Sequence, residues 1–543
     1  MWLDAIYLNA PLIRWPLTAL YLLVLLLVSI YGLHRYWLVW LYYRHRRQTP
    51  RPLRRFQTLP RVTVQLPMFN ESQVAERIID AACSLDYPPD LLHIQVLDDS
   101  TDGCALIARL HVERWKQRGI DIEYIHRQVR RGYKAGALAE AFPRAKGRFI
   151  AIFDADFIPP PHFLKSTIHY FTDPKVGLVQ ARWSHLNRED SLLTRSQAIF
   201  LDGHFLIEHT ARNRSDRWFN FNGTAGVWRR QAIESAGGWH HDTLTEDVDL
   251  SYRAQLAGWS FVFLPRLKCP AELPPEINAF KAQQHRWTKG SIQTAKKLLP
   301  TLLRSDIPCR VKVEAFFHLT SPMVYVYLSL MVLLFYPAFF VNIQPVDGDS
   351  VSGFVFEMTL FALGTASAGV FYTVSQREQR RSLPATIAHL PALMSIGIGI
   401  ALNNARGCIE ALLGHQSEFI RTPKYRSADP GTPAASGRAA PGWVVLPTPS
   451  IKLWMSLLEI GMGLYCLECS RLSLSSRRAF ISFPFLLLFA SGYLYVGLSS
   501  MRSLWLVWRN NPSLPRQPRG IMASRQGGGS MAGLDSQAAR STY

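Results

Sequence analysis

Four short polar clusters occur in a fixed order along this chain: Asp98-Asp99, Asp154-Ala155-Asp156, Thr245-Glu246-Asp247 and Gln283-Gln284-His285-Arg286-Trp287. Two carboxylates one residue apart offer the hard oxygen ligands that Mg²⁺ or Mn²⁺ takes, leaving other positions for water or phosphate. A later carboxylate can accept a proton from an attacking hydroxyl. An Arg beside a Trp can pair with phosphate through its fork of donors while the indole covers the apolar face of a pyranose ring. Together these are the parts needed to move a sugar from a nucleoside diphosphate to a hydroxyl.

Each cluster also has a plain structural reading. Asp98–Asp102 can cap a following helix, Asp154–Asp156 can be a solvated turn, and Thr245 or Asp247 can cap the helix expected over Val248–Ala257. Position separates the readings. Asp98 follows the apolar run Ile94–Leu97 and Asp154 follows Phe149–Phe153, so both acidic pairs stand at the ends of buried-type strands. Other candidates fail on spacing. His204 with Glu208-His209 does not make a zinc helix, and His240-His241 lack a third ligand; no phosphate-binding Walker loop or G-x-S-x-G turn is present.

The elements that must hold these residues follow from periodicity. Val62–Pro67, His93–Leu97, Asp121–Ile125, Phe149–Phe153 and Val176–Ala181 are short β-rich runs separated by amphipathic stretches at Gln73–Ser84, Ala105–Arg118 and Pro161–Phe171. Alternation of this kind predicts a doubly wound, mostly parallel α/β sheet, whose ligands bind beyond the carboxyl ends of the strands. Gln284–Arg304 sets apolar residues between Arg286, Lys289, Lys296, Lys297 and Arg304, an interfacial pattern with cations toward lipid headgroups.

The remainder is written for a membrane. Residues 17–40 are long and apolar enough to span one, with no cleavage site after them, and further apolar stretches lie near 315–341, 351–374, 383–402, 451–468 and 479–507. The formal charge of +20, from 60 Lys+Arg against 40 Asp+Glu, collects beside them, as at Arg44, Arg46 and Arg47. Positive flanks mark the cytoplasmic side, and the lack of a nucleic-acid motif sets aside that partner. Cations on both sides of 383–402 suit a re-entrant or interfacial segment, so the count of spans is five or six. Seven scattered Cys give no disulfide framework, and Cys466 with Cys469 read as small apolar residues at a helix end.

The ordered series resembles the D, D×D, TED, Q××RW motifs of processive family 2 glycosyltransferases, the group of cellulose synthase and its mannan- and glucan-making relatives. The resemblance runs over about residues 60–430. It implies a GT-A-type mixed-sheet domain inserted between transmembrane helices: an anchor at 1–43, a basic segment at 44–60, the catalytic domain at 61–280, interfacial helices at 281–310, a membrane region at 311–426, a linker at 427–450, a helix pair at 451–508 and a tail at 509–543. It implies donor contacts from Asp98, Asp99, Lys134, Asp154 and Arg286, metal ligation by Asp154 and Asp156, a base at Asp247, and acceptor contacts from Gln283, Glu246 and Trp287. Phe419, Thr422 and Lys424 match a loop that covers the nucleotide, although Arg421 departs from its pattern. The implied activity is inverting hexosyl transfer from GDP-mannose or UDP-glucose to a growing β-linked polysaccharide, in a multi-pass plasma- or inner-membrane protein with a cytoplasmic catalytic domain and room for accessory subunits. A single-transfer glycolipid synthase resembling ceramide glucosyltransferase is the alternative; a non-catalytic transporter or scaffold is the weaker one.

Overall fold

The computed structural model describes residues 10–342, 351–416, 449–474, 480 and 482–510. Its centre is a seven-stranded sheet in the order β3-β2-β1-β4-β6-β5-β7. The strands are β1 (Val62–Met68), β2 (Leu92–Asp98), β3 (Ile122–His126), β4 (Phe149–Ile152), β5 (Val176–His185), β6 (Gly226–Arg229) and β7 (Ser260–Ala271). β3, β2, β1 and β4 are parallel; β6 runs antiparallel to β4 and β5. Both faces are covered. Phe149, Ala151 and Phe153 join the core on one side while Ile150 and Ile152 join the other, which is why β4 reads as an unbroken apolar run. Gln65 and Gln95 sit buried inside this sheet because their amides pair at 2.9 Å.

Five strands are legible in the sequence and two are not. β6 (Gly-Val-Trp-Arg) lacks the unbroken apolar run that marks the equally short β4, and β7 pairs with β5 across register shifts at Val176/Leu178 and Ala181/Arg182 that break its period-two pattern. The helix expected over Pro161–Phe171 divides into a short α-helix, Phe163–Thr167, and a tighter turn, Ile168–Thr172. Since β1, β2 and β4 are parallel, Asp98-Asp99 and Asp154–Asp156 leave the sheet at one edge.

Around this domain stand long helices: Ala10–His45, the bent pair Cys309–Thr320 and Met323–Asn342, Val351–Glu378, Leu383–Gly399 with Ala401–Leu412, Pro449–Ser473 and Phe483–Asn510. Among the described residues three helices are long and apolar enough to cross a membrane, four if the pair bent by 58° is one span. One of the three is Leu383–Leu412. His389 Nε2 near its start lies 3.1 Å from Ser196 Oγ, and Glu410 near its end accepts from Lys289 Nζ at 2.9 Å.

Polar and charged contacts fasten the domain to these helices: Arg188, paired with Asp202 at 2.6 Å, donates to Gln376 at 2.7 Å, and the buried Arg212 donates to the buried Glu314 at 2.9 Å. Arg46, just past the first long helix, donates to Glu378 at the end of another at 2.6 Å. Among the helices themselves, contact depends on missing side chains. A Cβ on Gly492 would overlap the Ser395 carbonyl, and one on Gly399 would overlap the Gly492 carbonyl. Gly492→Val should lower stability by about 1–3 kcal/mol, read as a lower melting temperature in detergent, whereas Gly461→Ala, which meets nothing within 4 Å, should leave it nearly unchanged.

Candidate active site

At the carboxyl edge of the sheet a cleft is lined by Asp99, Lys134, Asp154, Asp156, Glu246 and Asp247, and also by Gln283, Arg286 and Trp287. Asp98 does not line it. Its buried carboxylate accepts from Tyr124 Oη at 2.7 Å and from the Ser100 amide at 2.9 Å, fixing the turn that presents Asp99. Asp99 in turn takes a two-pronged pair from Arg127 at 2.7 and 2.6 Å. Arg127 also donates to the Arg131 and Tyr133 carbonyls, so the acid, the guanidinium and the start of the helix Tyr133–Ala141 form one unit. Gly132 (φ +72°) makes that entry, where a Cβ would press on His241.

Lys134 follows directly. Its ammonium reaches Asp154 Oδ1 at 2.5 Å and the Gly223 carbonyl at 2.9 Å. Gly223 has a φ of +78°, and a Cβ there would stand 3.2 Å from Asp247 Oδ2 and 3.5 Å from Lys134 Nζ. Asp247, Lys134 and Asp154 thus meet around one small residue. Asp156 is buried, and its carboxylate with that of Asp154 supplies hard oxygen donors on the loop after β4.

The fourth cluster lies within a helix, Ile277–Arg304, that begins seven residues before the expected Gln284 and so includes the whole motif. It docks on the Thr245-Glu246-Asp247 turn. Gln293 Oε1 accepts from the Leu244 amide at 2.9 Å, Thr294 Oγ1 lies 3.3 Å from Thr245 Oγ1, and a Cβ on Gly290 would come within 2.5 Å of Thr245. The cations expected at headgroups are engaged by protein instead: Lys289 with Glu410, Lys296 with the Ala411 and Leu412 carbonyls, Lys297 with Asp242 and Asp249. Partners close enough in space outcompete solvent, and only the fold brings them there.

The structure adds residues that the motifs missed. Trp183 stands 6.5 Å from Trp287, ring to ring, and joins the cleft wall with His185 and Asn222. Burial pushes His185 down to about 4, so it is neutral. Asn222 is held by His204 at 3.1 Å and His209 at 2.7 Å. These two histidines, unfit for zinc in an ordinary helix, share a side because Gly203–His209 is a widened π-type turn. Trp183 lies two residues beyond the β-rich run Val176–Ala181, on the part of β5 that extends to His185. Phe419, Thr422 and Lys424 lie outside the described residues.

Residues 60–290 match the family described as glycosyltransferase like family 2. They form a family 2 glycosyltransferase domain. Among curated relatives, a probable glucomannan 4-beta-mannosyltransferase 6 of Oryza sativa subsp. japonica is 45% identical over 251 residues, 45% of this chain and 44% of that protein. Glucomannan 4-beta-mannosyltransferase 1 of Cyamopsis tetragonoloba is 44% identical over 256 residues, 46% and 49% of the two chains. The chain spans about half the length of the curated relatives it matches. A solved mannosyltransferase, PcManGT from Pyrobaculum calidifontis in complex with GDP-Man and Mn²⁺, aligns with a TM-score of 0.50 at 20% identity, over 72% of this chain and 100% of that one. At that identity the likeness is one of fold, the GT-A-like mixed sheet.

Within this glycosyltransferase domain two neighbouring acids are electrostatically unusual. Burial, and then the Glu246 carboxylate beside it, pushes Asp247 up to about 7, with Lys134 opposing. Burial likewise raises Glu246, against the pull of Lys134 and Arg286. By contrast the cluster His240, Asp242 and Asp249, which supplies in space the third ligand that the sequence lacks, is filled by cations of the chain: Lys297 stands 2.8 and 2.9 Å from the two carboxylates and Arg253 pairs with Asp249 at 2.6 Å.

The Asp247 shift has a stability consequence. Because its folded value lies above the unfolded one, the native state holds a proton that the unfolded chain has released between about pH 4 and 7, and stability falls as pH rises through that window. Asp247→Asn, which mimics the protonated acid, should therefore melt at a progressively higher temperature than the wild type as pH goes from 5 to 8. A melting difference that stays flat with pH would remove this assignment.

Proposed function

We propose that the protein is an inverting, membrane-integrated glycosyltransferase that adds hexose from a nucleotide sugar to a β-linked polysaccharide, with GDP-mannose the first donor to test and UDP-glucose the second. The observation that carries this reading is the meeting of Asp247, Lys134 and Asp154 around Gly223 with Trp287 and Arg286 on the facing helix. The relatives named as 4-beta-mannosyltransferases support the choice of donor.

In this mechanism Asp247 takes the proton from an acceptor hydroxyl whose ring lies on Trp287 and Trp183. The hydroxyl oxygen forms its bond to the anomeric carbon as the bond to the diphosphate breaks on the opposite face and the departing oxygen keeps the electron pair. Attack from the far side inverts the centre, so an α-linked donor yields a β-linked product. Lys134 and Arg286 meet the growing charge on the diphosphate, at a place where fixed cations need little reorganisation. Asp154 and Asp156 would hold Mg²⁺ or Mn²⁺, which supplies further charge neutralisation there; their hard oxygens suit either ion. Burial and the neighbouring Glu246 raise the proton affinity of Asp247 toward neutral pH, the range in which a general base works well.

The acceptor is read as a polysaccharide because the relatives are named as glucomannan mannosyltransferases; a second cavity opens among the long helices. Gln283 lines the cleft while its neighbour Gln284 lines the cavity, together with Tyr31, Phe200, Tyr325 and Tyr372 among the long helices. Aliphatic side chains such as Leu25, Leu328 and Leu393 make up most of the rest of its wall. With Arg44, Arg46 and Arg47 closing the first helix, the catalytic domain belongs on the cytoplasmic side, and Leu383–Leu412 lies against it at the interface.

Purified membranes supplied with Mg²⁺ or Mn²⁺ and each donor should yield high-mass, β-glycanase-sensitive product. Asp247→Asn should lower its formation by about a hundredfold to ten-thousandfold while donor binding persists, and chelation should abolish it until either ion is restored. A single lipid-linked monosaccharide as the product would move the protein to the glycolipid class.

A further inference from the structure

The helix Ile277–Arg304 carries a second pattern that transfer chemistry does not use. Lys281, His285 and Lys289 recur every four residues, forming one stripe on a helix of 3.6 residues per turn. Each member faces a carboxylate from another element. Lys281 Nζ stands 2.7 Å from Glu459, with side-chain exposures of 7% and 0%; Lys289 Nζ, fully buried, stands 2.9 Å from Glu410, and His285 Nε2 lies 3.2 Å from the same acid. At about 100° per residue, Lys281 is turned some 120–160° away from Gln283, Arg286 and Trp287, on the back of the helix relative to the cleft.

The Lys281 end is tied further. Ser500 Oγ accepts from Lys281 Nζ at 3.2 Å, Asn278 Nδ2 donates to the Ser500 carbonyl at 3.3 Å, and Asn403 Nδ2 donates to the Lys281 carbonyl at 2.9 Å. Glu459 and Ser500 belong to Pro449–Ser473 and Phe483–Asn510, outside the residues that match the family. A buried ion pair is a poor source of stability compared with an apolar substitute, but it fixes a register that greasy contacts leave loose. On the other face of the same helix, one ångström decides how an acceptor meets the base.

We infer that the C-terminal helix pair is a positioning element for glycosyl transfer, acting through Glu459 on Lys281 to hold Gln283, Arg286 and Trp287 against the Thr245-Glu246-Asp247 turn. Lys281 and Glu459 are positioning residues, neither of which lines the cleft. The inference rests on the transferase reading above, and it predicts that disturbing the pair harms the transfer step, in which Arg286 and Trp287 take part, more than donor capture, because Asp99, Lys134 and Asp154 lie on the sheet edge and the helix Tyr133–Ala141, outside Ile277–Arg304.

The test uses the full chain in membranes. Glu459→Gln should lower kcat roughly tenfold or more and shorten the product while the donor KM stays within about threefold. The exchange Lys281→Glu with Glu459→Lys, which restores the pair reversed, should recover most of the rate and the product length. If Glu459→Gln fails to fold, the uncharged pair Lys281→Gln with Glu459→Gln takes its place, with the same loss expected. Wild-type rate and product length in the folded single variant, or a folded exchange that recovers nothing, overturns the inference. A wild-type chain silent with every donor overturns the transferase reading instead, and the inference with it.

Discussion

The approach of Gly290 to Thr245 is the contact on which the rest of the site depends. A single methyl group at 290 would come within 2.5 Å of Thr245, so the helix bearing Arg286 and Trp287 lies on the turn bearing Glu246 and Asp247 only because position 290 has no side chain. The gain is electrostatic. Two acids and the cations Lys134 and Arg286 are brought into one cleft, where burial and Glu246 raise Asp247 against the pull of Lys134, and burial raises Glu246 against the pull of Lys134 and Arg286. Without that approach the sheet would still present its acidic edge, but Arg286 and Trp287 would have no fixed place opposite it.

Two kinds of support keep this contact in register. On the sheet side the Asp99–Arg127 pair and the left-handed entry at Gly132 fix where Lys134 begins its helix. On the membrane side the stripe of Lys281, His285 and Lys289 is met by Glu459 and Glu410. Charged residues are costly to bury singly, and here the mobile long side chains are spent on fixing one helix between two bodies of different character, a water-exposed sheet domain and a set of apolar helices.

The same trade explains why basic residues that a linear reading assigns to lipid headgroups are engaged by groups of the protein, Lys289 fully buried, Lys297 half-buried and Lys296 exposed. Lys289, Lys296 and Lys297 look like a cationic face when only the helix is considered. Glu410 and the carbonyls that end its helix are about 115–120 residues away in sequence and Asp249 about 50; no local pattern announces that they will be neighbours. Asn222 and its two histidines follow the same rule, since a π-type turn and a distant loop must both form before they meet.

What the sequence by itself determined is the chemistry and its order. Carboxylates at strand ends, an acid opening a helix and an Arg-Trp pair are local combinations whose period and flanking residues are visible in one dimension, and apolar runs such as β4 announce strands buried on both faces. Tertiary structure decided what depends on non-local distance. It separated Asp98, which builds a turn, from Asp99, which faces the cleft, and it added β6, which mixes Gly and Arg with its apolar residues, and β7, irregular in register. It also supplied Asp247 with a raised proton affinity, because desolvation and the field of a neighbouring acid are properties of packed atoms in three dimensions and of no residue alone.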